Sequence, residues 1–75
     1  MSATQVTYLL GGSAPWLTVD ADPDAFAALV EAALADHKLI RLVDMKTGAS
    51  PLHINPGAVV LLRPTDTKPQ WRVST

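Results

Sequence analysis

The sequence predicts an α+β fold, in which a small antiparallel sheet of four to five strands carries one amphipathic helix, about residues 22–36, on one face. Two observations lead to this prediction. Only one segment has apolar residues at helical spacing, and short runs rich in β-branched residues flank it, separated by glycine and proline. The predicted order is strand, strand, helix, and then two or three further strands.

The first two strands are predicted to form a hairpin. Residues 4–10 (TQVTYLL) are rich in β-branched and aromatic types, and residues 16–19 (WLTV) form a second short run of the same kind. Gly11, Gly12 and Ser13 between them are residues typical of turns.

The helix is predicted from its start signals and its apolar stripe. Asp22 suits the N-cap, Pro23 suits the first helical position, and Asp24 lies in the first turn near the positive end of the helix dipole. The stripe at i, i+3, i+4, i+7 and i+8 consists of Phe26, Leu29, Val30, Ala33 and Leu34.

Further strands are predicted after the helix at residues 39–45, 50–54 and 58–63. Residues 46–49 are a predicted turn, and the proline and glycine of Asn55-Pro56-Gly57 stand in the order of a type II turn.

Two predictions concern the C-terminal segment and the core. Pro64 is expected to end the strand before it, and residues 71–73 are expected to add a final edge strand. The predicted core consists of Tyr8, Leu10, Leu17, Phe26, Leu29, Val30, Leu34, Ile40, Leu42, Ile54, Val60 and Leu62.

Chain length limits the size of the core, and composition limits the kinds of site that the protein can form. Seventy-five residues predict a single domain, 1–75, with a core too small to yield much net stability. The absence of cysteine excludes disulfides and thiolate zinc sites. Charged residues make up 17% and hydrophobic residues 48%, so part of the apolar surface is expected to contact another chain.

Segments that would direct the chain to a membrane are not expected. No run approaches 18 uninterrupted apolar residues, and the N-terminal stretch lacks the basic region of a signal peptide. The predicted location is therefore cytoplasmic, meaning the host cytoplasm or the virion if the protein is phage-encoded.

One stretch has the acidic spacing of a calcium loop. Asp20, Asp22, Asp24 and Glu31 match D-x-D-x-D-G-x5-E, but Ala25 stands where that loop needs glycine for its sharp turn. Because the same residues explain a helix start completely, we interpret the segment as a helix start and predict no metal site.

Enzymatic chemistry is not predicted either. His37 and His53 are the only histidines, and neither has an acidic or histidine neighbour at ligand spacing. Ser13 and Ser50 lack the strand-turn-helix motif of a catalytic serine. We therefore predict a protein without catalytic residues or cofactors.

The leading functional prediction is a protein-protein interaction or assembly module that forms a homo-oligomer, with a host or virion protein as a further possible partner. The predicted contact surface is the exposed face of strands 39–45 and 58–63. Tryptophan is enriched at the centres of interfaces. The candidate interface residues are Trp71, Val60, Leu62, Val43 and Trp16.

The alternative prediction is a nucleic-acid-binding or regulatory module that uses Arg41, Arg63 and Arg72. If their strands were neighbours, the arginines could line one sheet face beside a tryptophan, as in platforms for single strands. The net charge of −1 gives no basic excess, which favours scattered arginines paired with Asp44 or Asp66.

The segment PLHINPGAVV, residues 51–60, has a strand, an INP turn and a second strand. With WLTVDAD and LIRLVD, it resembles small uncharacterised proteins of actinobacteria and their phages over residues 16–63. The resemblance implies a small accessory protein that acts by binding, and it brings no catalytic residue with it.

Overall fold

A computed structural model describes residues 3–47 and 50–74, and it confirms the α+β class. In chain order the elements are strands β1 (Ala3–Tyr8) and β2 (Trp16–Val19), helix α1 (Pro23–Asp36), strands β3 (Ile40–Asp44) and β4 (Leu52–Ile54), a 3-10 turn η1 (Pro56–Ala58), and strands β5 (Val59–Thr65) and β6 (Trp71–Val73). Gly48 and Ala49 of the predicted 46–49 turn lie outside the described residues.

The sheet has six strands in the order β4-β3-β6-β2-β1-β5. It consists of two three-stranded antiparallel halves, β4-β3-β6 and β2-β1-β5, and a parallel pair at Val19 and Trp71 joins them. The prediction of four to five antiparallel strands was therefore wrong in the number of strands and, among the described strand pairs, wrong in direction at the β2–β6 pair alone.

Strand β6 lies at the centre of the sheet and not at its edge, which corrects a second expectation. Its main chain bonds to both halves: the Asp20 N–H donates to the Trp71 carbonyl at 2.7 Å, and the Ser74 N–H donates to the Arg41 carbonyl at 2.9 Å. Three residues show no pattern that separates a central strand from an edge strand. Only these long-range bonds decide its position.

Helix α1 begins as its start signals indicate. The Asp22 side chain accepts a hydrogen bond from the Asp24 N–H at 3.1 Å, and Pro23 occupies the first helical position. The helix ends at Asp36, where His37 adopts the left-handed conformation, with φ of 54°. The predicted helix and its cap are confirmed to within one residue.

The core lies between α1 and one side of the sheet. Phe26 is its buried helical residue, and Leu29, Val30 and Ala33 pack beside it. Three members of the predicted core are wrong: Leu10 is 64% exposed, Leu34 48% and Val60 53%. The buried hydrophobic residues of the cluster are Val6, Leu17, Val19, Phe26, Ile40, Leu42 and Ile54.

Each of the three corrections has a local cause. Leu10 lies in the β1–β2 loop, where it bridges to Ser13 and has no strand to cover it. Leu34 is on the flank of α1 that faces η1. Val60 is the unpaired residue of a β-bulge, because Thr7 pairs with Leu61 and the next β1 residue, Tyr8, pairs with Val59.

Two predictions about proline-containing segments were also wrong. Strand β5 continues through Pro64, whose partner is Thr4, and ends at Thr65. Pro56 begins the 3-10 turn η1 and not a type II turn, and Asn55 caps it by accepting the Gly57 N–H at 2.9 Å.

Among the described residues, no helix is long and apolar enough to cross a membrane.

Candidate protein-binding surface on the open sheet face

Within residues 3–47 and 50–74, no helix covers the side of the sheet opposite α1, and we call this side the open face. Successive side chains of a strand point to opposite sides, and paired residues point to the same side. The pairs Thr4–Val19 and Ile40–Ile54 face the core, so the residue next to each of these four along its own strand faces away from the core. The open-face strand residues include Gln5, Thr7, Trp16, Thr18, Arg41, Val43, His53, Leu61, Arg63 and Arg72.

An apolar patch lies on the β2-β1-β5 half of this face. Thr7 pairs with Trp16 on one side and with Leu61 on the other, so these three residues form one row across three strands. Trp16 is 59% exposed and Leu61 47%. Val60, in the bulge beside Leu61, is also exposed. We call Trp16, Thr7, Leu61 and Val60 the Trp16–Leu61 patch.

The three arginines lie on the same open face and all are exposed. Arg72 pairs with Val43, and Arg41 is two residues from Val43, so the two arginines are diagonal neighbours about 7–8 Å apart. Arg63 is on β5, three strands from β6, or about 14 Å across the sheet. The sheet topology therefore brings Arg41 and Arg72 together and leaves Arg63 apart from them on the same face.

The Asp44 carboxylate accepts hydrogen bonds from Lys46, Thr47 and Gln70, and not from the arginines that the sequence suggested as its partners. Its Oδ1 accepts the Lys46 N–H at 2.8 Å and the Thr47 N–H at 3.3 Å, and its Oδ2 accepts from Gln70 Nε2 at 3.2 Å. These bonds, led by that from Lys46, lower the pKa of the Asp44 carboxyl below its ordinary value.

One corner of the open face is covered by the loop between β5 and β6. The Gln70 N–H contacts both the Thr18 carbonyl and the Thr18 hydroxyl, which buries Thr18. A cleft of about 350 Å³ beside it is lined by Ala3, Asp20, Thr65, Asp66, Thr67, Lys68 and Pro69. No other described segment is seen to cover this face.

The predicted interface residues divide between the two sides of the sheet. Trp16 and Val60 are exposed, and Val43 is half-buried on the open face. Leu62 and Trp71 lie on the opposite side, partly buried against the core. The structure therefore does not bring Trp71 together with the other candidates, because its pairing with Val19 turns it towards α1.

Leu61 was missed in the sequence, although a signal for it was present. Arg63 is a surface residue, and strand alternation puts Leu61 on the same side as Arg63. The bulge at Val60 was not readable from the sequence, because a bulge depends on the partner strand.

The acidic residues of the calcium-like segment are distributed along a cap and a helix. Asp22 caps α1, and Glu31 is exposed more than two turns further on. His37 ends the helix, while His53 pairs with Arg41 on the open face. Within residues 3–47 and 50–74, no three His, Cys, Asp or Glu side chains are grouped so that they could hold a metal ion.

Comparison with known proteins finds no matching family model, no significantly similar curated protein and no significantly similar solved structure.

Proposed function

We propose that this protein is a non-enzymatic interaction or assembly module that associates with further copies of itself through the open face. The observation that carries the proposal is the Trp16–Leu61 patch, which exposes a tryptophan and a leucine on either side of Thr7. Covering such apolar surface is favourable, and tryptophan is prominent among residues that dominate binding energy.

The size of the core supports the proposal. The described residues hold eight buried hydrophobic side chains, while eight other large hydrophobic side chains are exposed. Proteins of this size commonly add a disulfide, a metal or a partner subunit to a small core. Without cysteine, a partner subunit is the simplest of these additions.

The sheet edges favour contact through side chains over strand addition. The Leu9 N–H donates to the Ala58 carbonyl, so every second residue of β1 counted back from Leu9 directs its main-chain groups towards β5. Val6 and Thr4 are not among these residues, and the main-chain groups of their partners, Leu62 and Pro64, therefore point to the outer edge of β5. Pro64 has no N–H to offer there. At the other edge, β4 has only three residues, which makes it a poor template for another strand.

The resemblance of residues 16–63 to small actinobacterial and phage proteins agrees with this proposal, since it implies action by binding. In that setting the chain would be a phage accessory or structural protein, in the host cytoplasm or in the virion.

Light-scattering mass after size exclusion tests the proposal. We expect an oligomer whose mass rises with protein concentration, and we expect Trp16→Ala and Leu61→Asp to shift it towards the monomer. Leu39→Asp is the matched control, because Leu39 is 58% exposed but lines a cleft at the C-terminal end of α1.

Two results would overturn the proposal. A monomer at every concentration would remove self-association altogether. An equal loss of mass in Leu61→Asp and Leu39→Asp would show that the Trp16–Leu61 patch is not the contact surface.

A second candidate function is the binding of single-stranded nucleic acid. The observation in its favour is the common side of Arg41, Arg63, Arg72 and Trp16, since aromatic and guanidinium groups on one surface suit stacked bases and phosphates. With the net charge at −1, the surrounding protein adds little attraction for a polyanion.

Fluorescence anisotropy with labelled oligo-dT at low and moderate salt tests this second function. We expect affinity that falls with salt, and we expect Arg72→Gln to weaken binding and flatten the salt dependence by about one contact. Lys38→Gln, which removes one positive charge outside the open face, is the control. Equal effects of the two variants, or no binding at low salt, would rule the function out.

A further inference from the structure

We infer that the open face of one copy receives the exposed face of α1 from the next copy, so that copies associate head to tail. This inference rests on the proposed function and adds to it the surface that the Trp16–Leu61 patch contacts. Its basis is the separation of charge between the two sides of the protein.

The open face is cationic although the whole chain is not. Three of the six basic residues, Arg41, Arg63 and Arg72, lie on it. Two of the seven acidic residues, Asp20 and Asp66, line the cleft at the covered corner of this face, together with the basic residue Lys68. The open face is therefore positively charged although the net charge of the chain is −1.

Helix α1 carries the opposite charge. Four of the seven acidic residues lie in the helix or at its cap, namely Asp22, Asp24, Glu31 and Asp36, and all four are exposed. The segment 22–38 has a single cation, Lys38. Asp24 and Glu31 are seven residues apart, so they lie on nearly the same side of the helix with a rise of about 10 Å between them.

The exposed side of the helix also carries small side chains. The helix residues between the carboxylates on the exposed side are mostly alanines, which let another surface approach closely: Ala25, Ala28, Ala32 and Ala35. In the proposed contact, Trp16 and Leu61 lie against these alanines. Arg63, two residues from Leu61, is the arginine beside the patch. The carboxylates of Asp24 and Glu31 then face Arg63 and the arginines farther along the open face.

A face-to-face dimer of two open faces fits the charges less well. Arg63 is two residues from Leu61 on the same strand and the same side, so pairing two Trp16–Leu61 patches would bring two cationic surfaces together. Like charges across an interface are unfavourable, whereas opposite charges favour and orient the contact.

The two surfaces lie on opposite sides of one protomer, and this determines the type of assembly. A contact between two different surfaces leaves one surface of each kind free at the ends, so it continues until a ring closes or a filament grows. The expected assembly is therefore a ring or a chain rather than a closed dimer.

A mixing experiment with two blocked variants tests the inference by light-scattering mass. Leu61→Lys blocks the open face, and Ala28→Lys with Glu31→Lys blocks the helix face. Each variant alone should be monomeric at concentrations where the unmodified protein is oligomeric. An equimolar mixture should give complexes of two copies, since each variant contributes its one intact surface.

Asp66→Lys with Thr67→Lys is the control for charge, because it makes the same charge change as the helix variant in the exposed β5–β6 loop, at the covered corner of the open face and away from both the helix and the Trp16–Leu61 patch. We expect this control to keep the mass of the unmodified protein. We also expect that mass to fall when salt is raised, as screening weakens the contact between carboxylates and arginines.

Other outcomes overturn the inference in distinguishable ways. If the helix variant keeps full mass while Leu61→Lys is monomeric, the open faces pair with each other, and the proposed function survives without the head-to-tail contact. If the mixture stays monomeric, the helix is not the partner. If the unmodified protein is monomeric and binds oligo-dT, both the inference and self-association fail and the nucleic-acid function takes their place.

Discussion

The two sides of the sheet are formed by the same strands, but one side packs against α1 and the other is exposed to solvent. On β3, Leu42 is fully buried under α1, whereas Arg41 and Val43 on either side of it face away from the helix. On the core side, the structure leaves no buried side-chain nitrogen or oxygen without a hydrogen bond among the described residues. On the open face, arginines and a tryptophan contact solvent. Strand alternation separates the two sets, and the helix decides which set is buried.

Truncating one residue on each side gives the largest expected effect. Leu42→Ala should lower the free energy of unfolding by about 2–5 kcal/mol, because it removes buried contacts and leaves a cavity. Val43→Ala on the next residue, which is half-buried, should cost about 1 kcal/mol or less. Thermal unfolding followed by circular dichroism measures both, and the first should lower the Tm by about 10 °C or more. Equal shifts for the two variants would mean that the open face is as buried as the core.

Two threonine hydroxyls, one on the core side of the sheet and one on the open face, test the same difference between the two sides. Thr4 is fully buried, and its Oγ1 donates to the Ala21 carbonyl at 2.7 Å. Thr4→Val keeps the shape but removes this bond, so it should cost about 1–3 kcal/mol. Thr7→Val, on the open face between Trp16 and Leu61, should change stability by about 0.5 kcal/mol or less.

The same pair of variants gives contrasting results in assembly. Thr7→Val enlarges the apolar area of the Trp16–Leu61 patch and should strengthen self-association measured by light scattering. Thr4→Val should leave the mass unchanged under conditions where the variant is folded. A stability loss for Thr7→Val as large as that for Thr4→Val would contradict this assignment of the two sides.

The smallest expected effect concerns Asp44, a carboxylate on the core side of β3. Its pKa is lowered, chiefly by the bond from the Lys46 N–H, so the folded state binds the proton more weakly than the unfolded state. The stabilisation is therefore present at neutral pH and is lost as pH falls below about 4, towards the lowered pKa. Asp44→Asn should lower the Tm at pH 7, and the difference from the unmodified protein should shrink by pH 2–3.

A Tm difference for Asp44→Asn that stays constant between pH 7 and pH 2 would assign the effect to hydrogen-bond geometry and not to charge. Asp66→Asn is the matched control. Asp66 lies in the exposed β5–β6 loop, and this change should leave the Tm nearly unchanged at either pH.

Several elements were predictable because local signals define them. Asp22 and Pro23 mark the start of α1 without any tertiary contact, and β2 was predicted with its observed bounds, Trp16–Val19. The helix face followed from spacing, apart from Leu34. Val60 and Pro64 were assigned wrongly because the bulge and the continuation of β5 both depend on its partner, β1.

The candidate surface was predictable only in part. Trp16 and the three arginines were singled out by residue type, and the near-neutral net charge favoured scattered arginines, whereas the strand pairings put all three on one side of the sheet. Trp71 was assigned to an interface because its segment is too short to fold alone. In the structure, pairing with β2 and β3 turns its side chain towards the core.

The sequence by itself determined the α+β class, the capped helix, the absence of disulfides and the near-neutral charge, since each depends on composition or on signals within a few residues. Only the tertiary structure decided the strand order, the central position of β6, and the side of the sheet on which each arginine lies. The physical reason is that strand pairing is made by main-chain hydrogen bonds that every residue except proline can donate and accept. Side chains only bias which partner is chosen, and the charge separation between α1 and the open face follows from that choice.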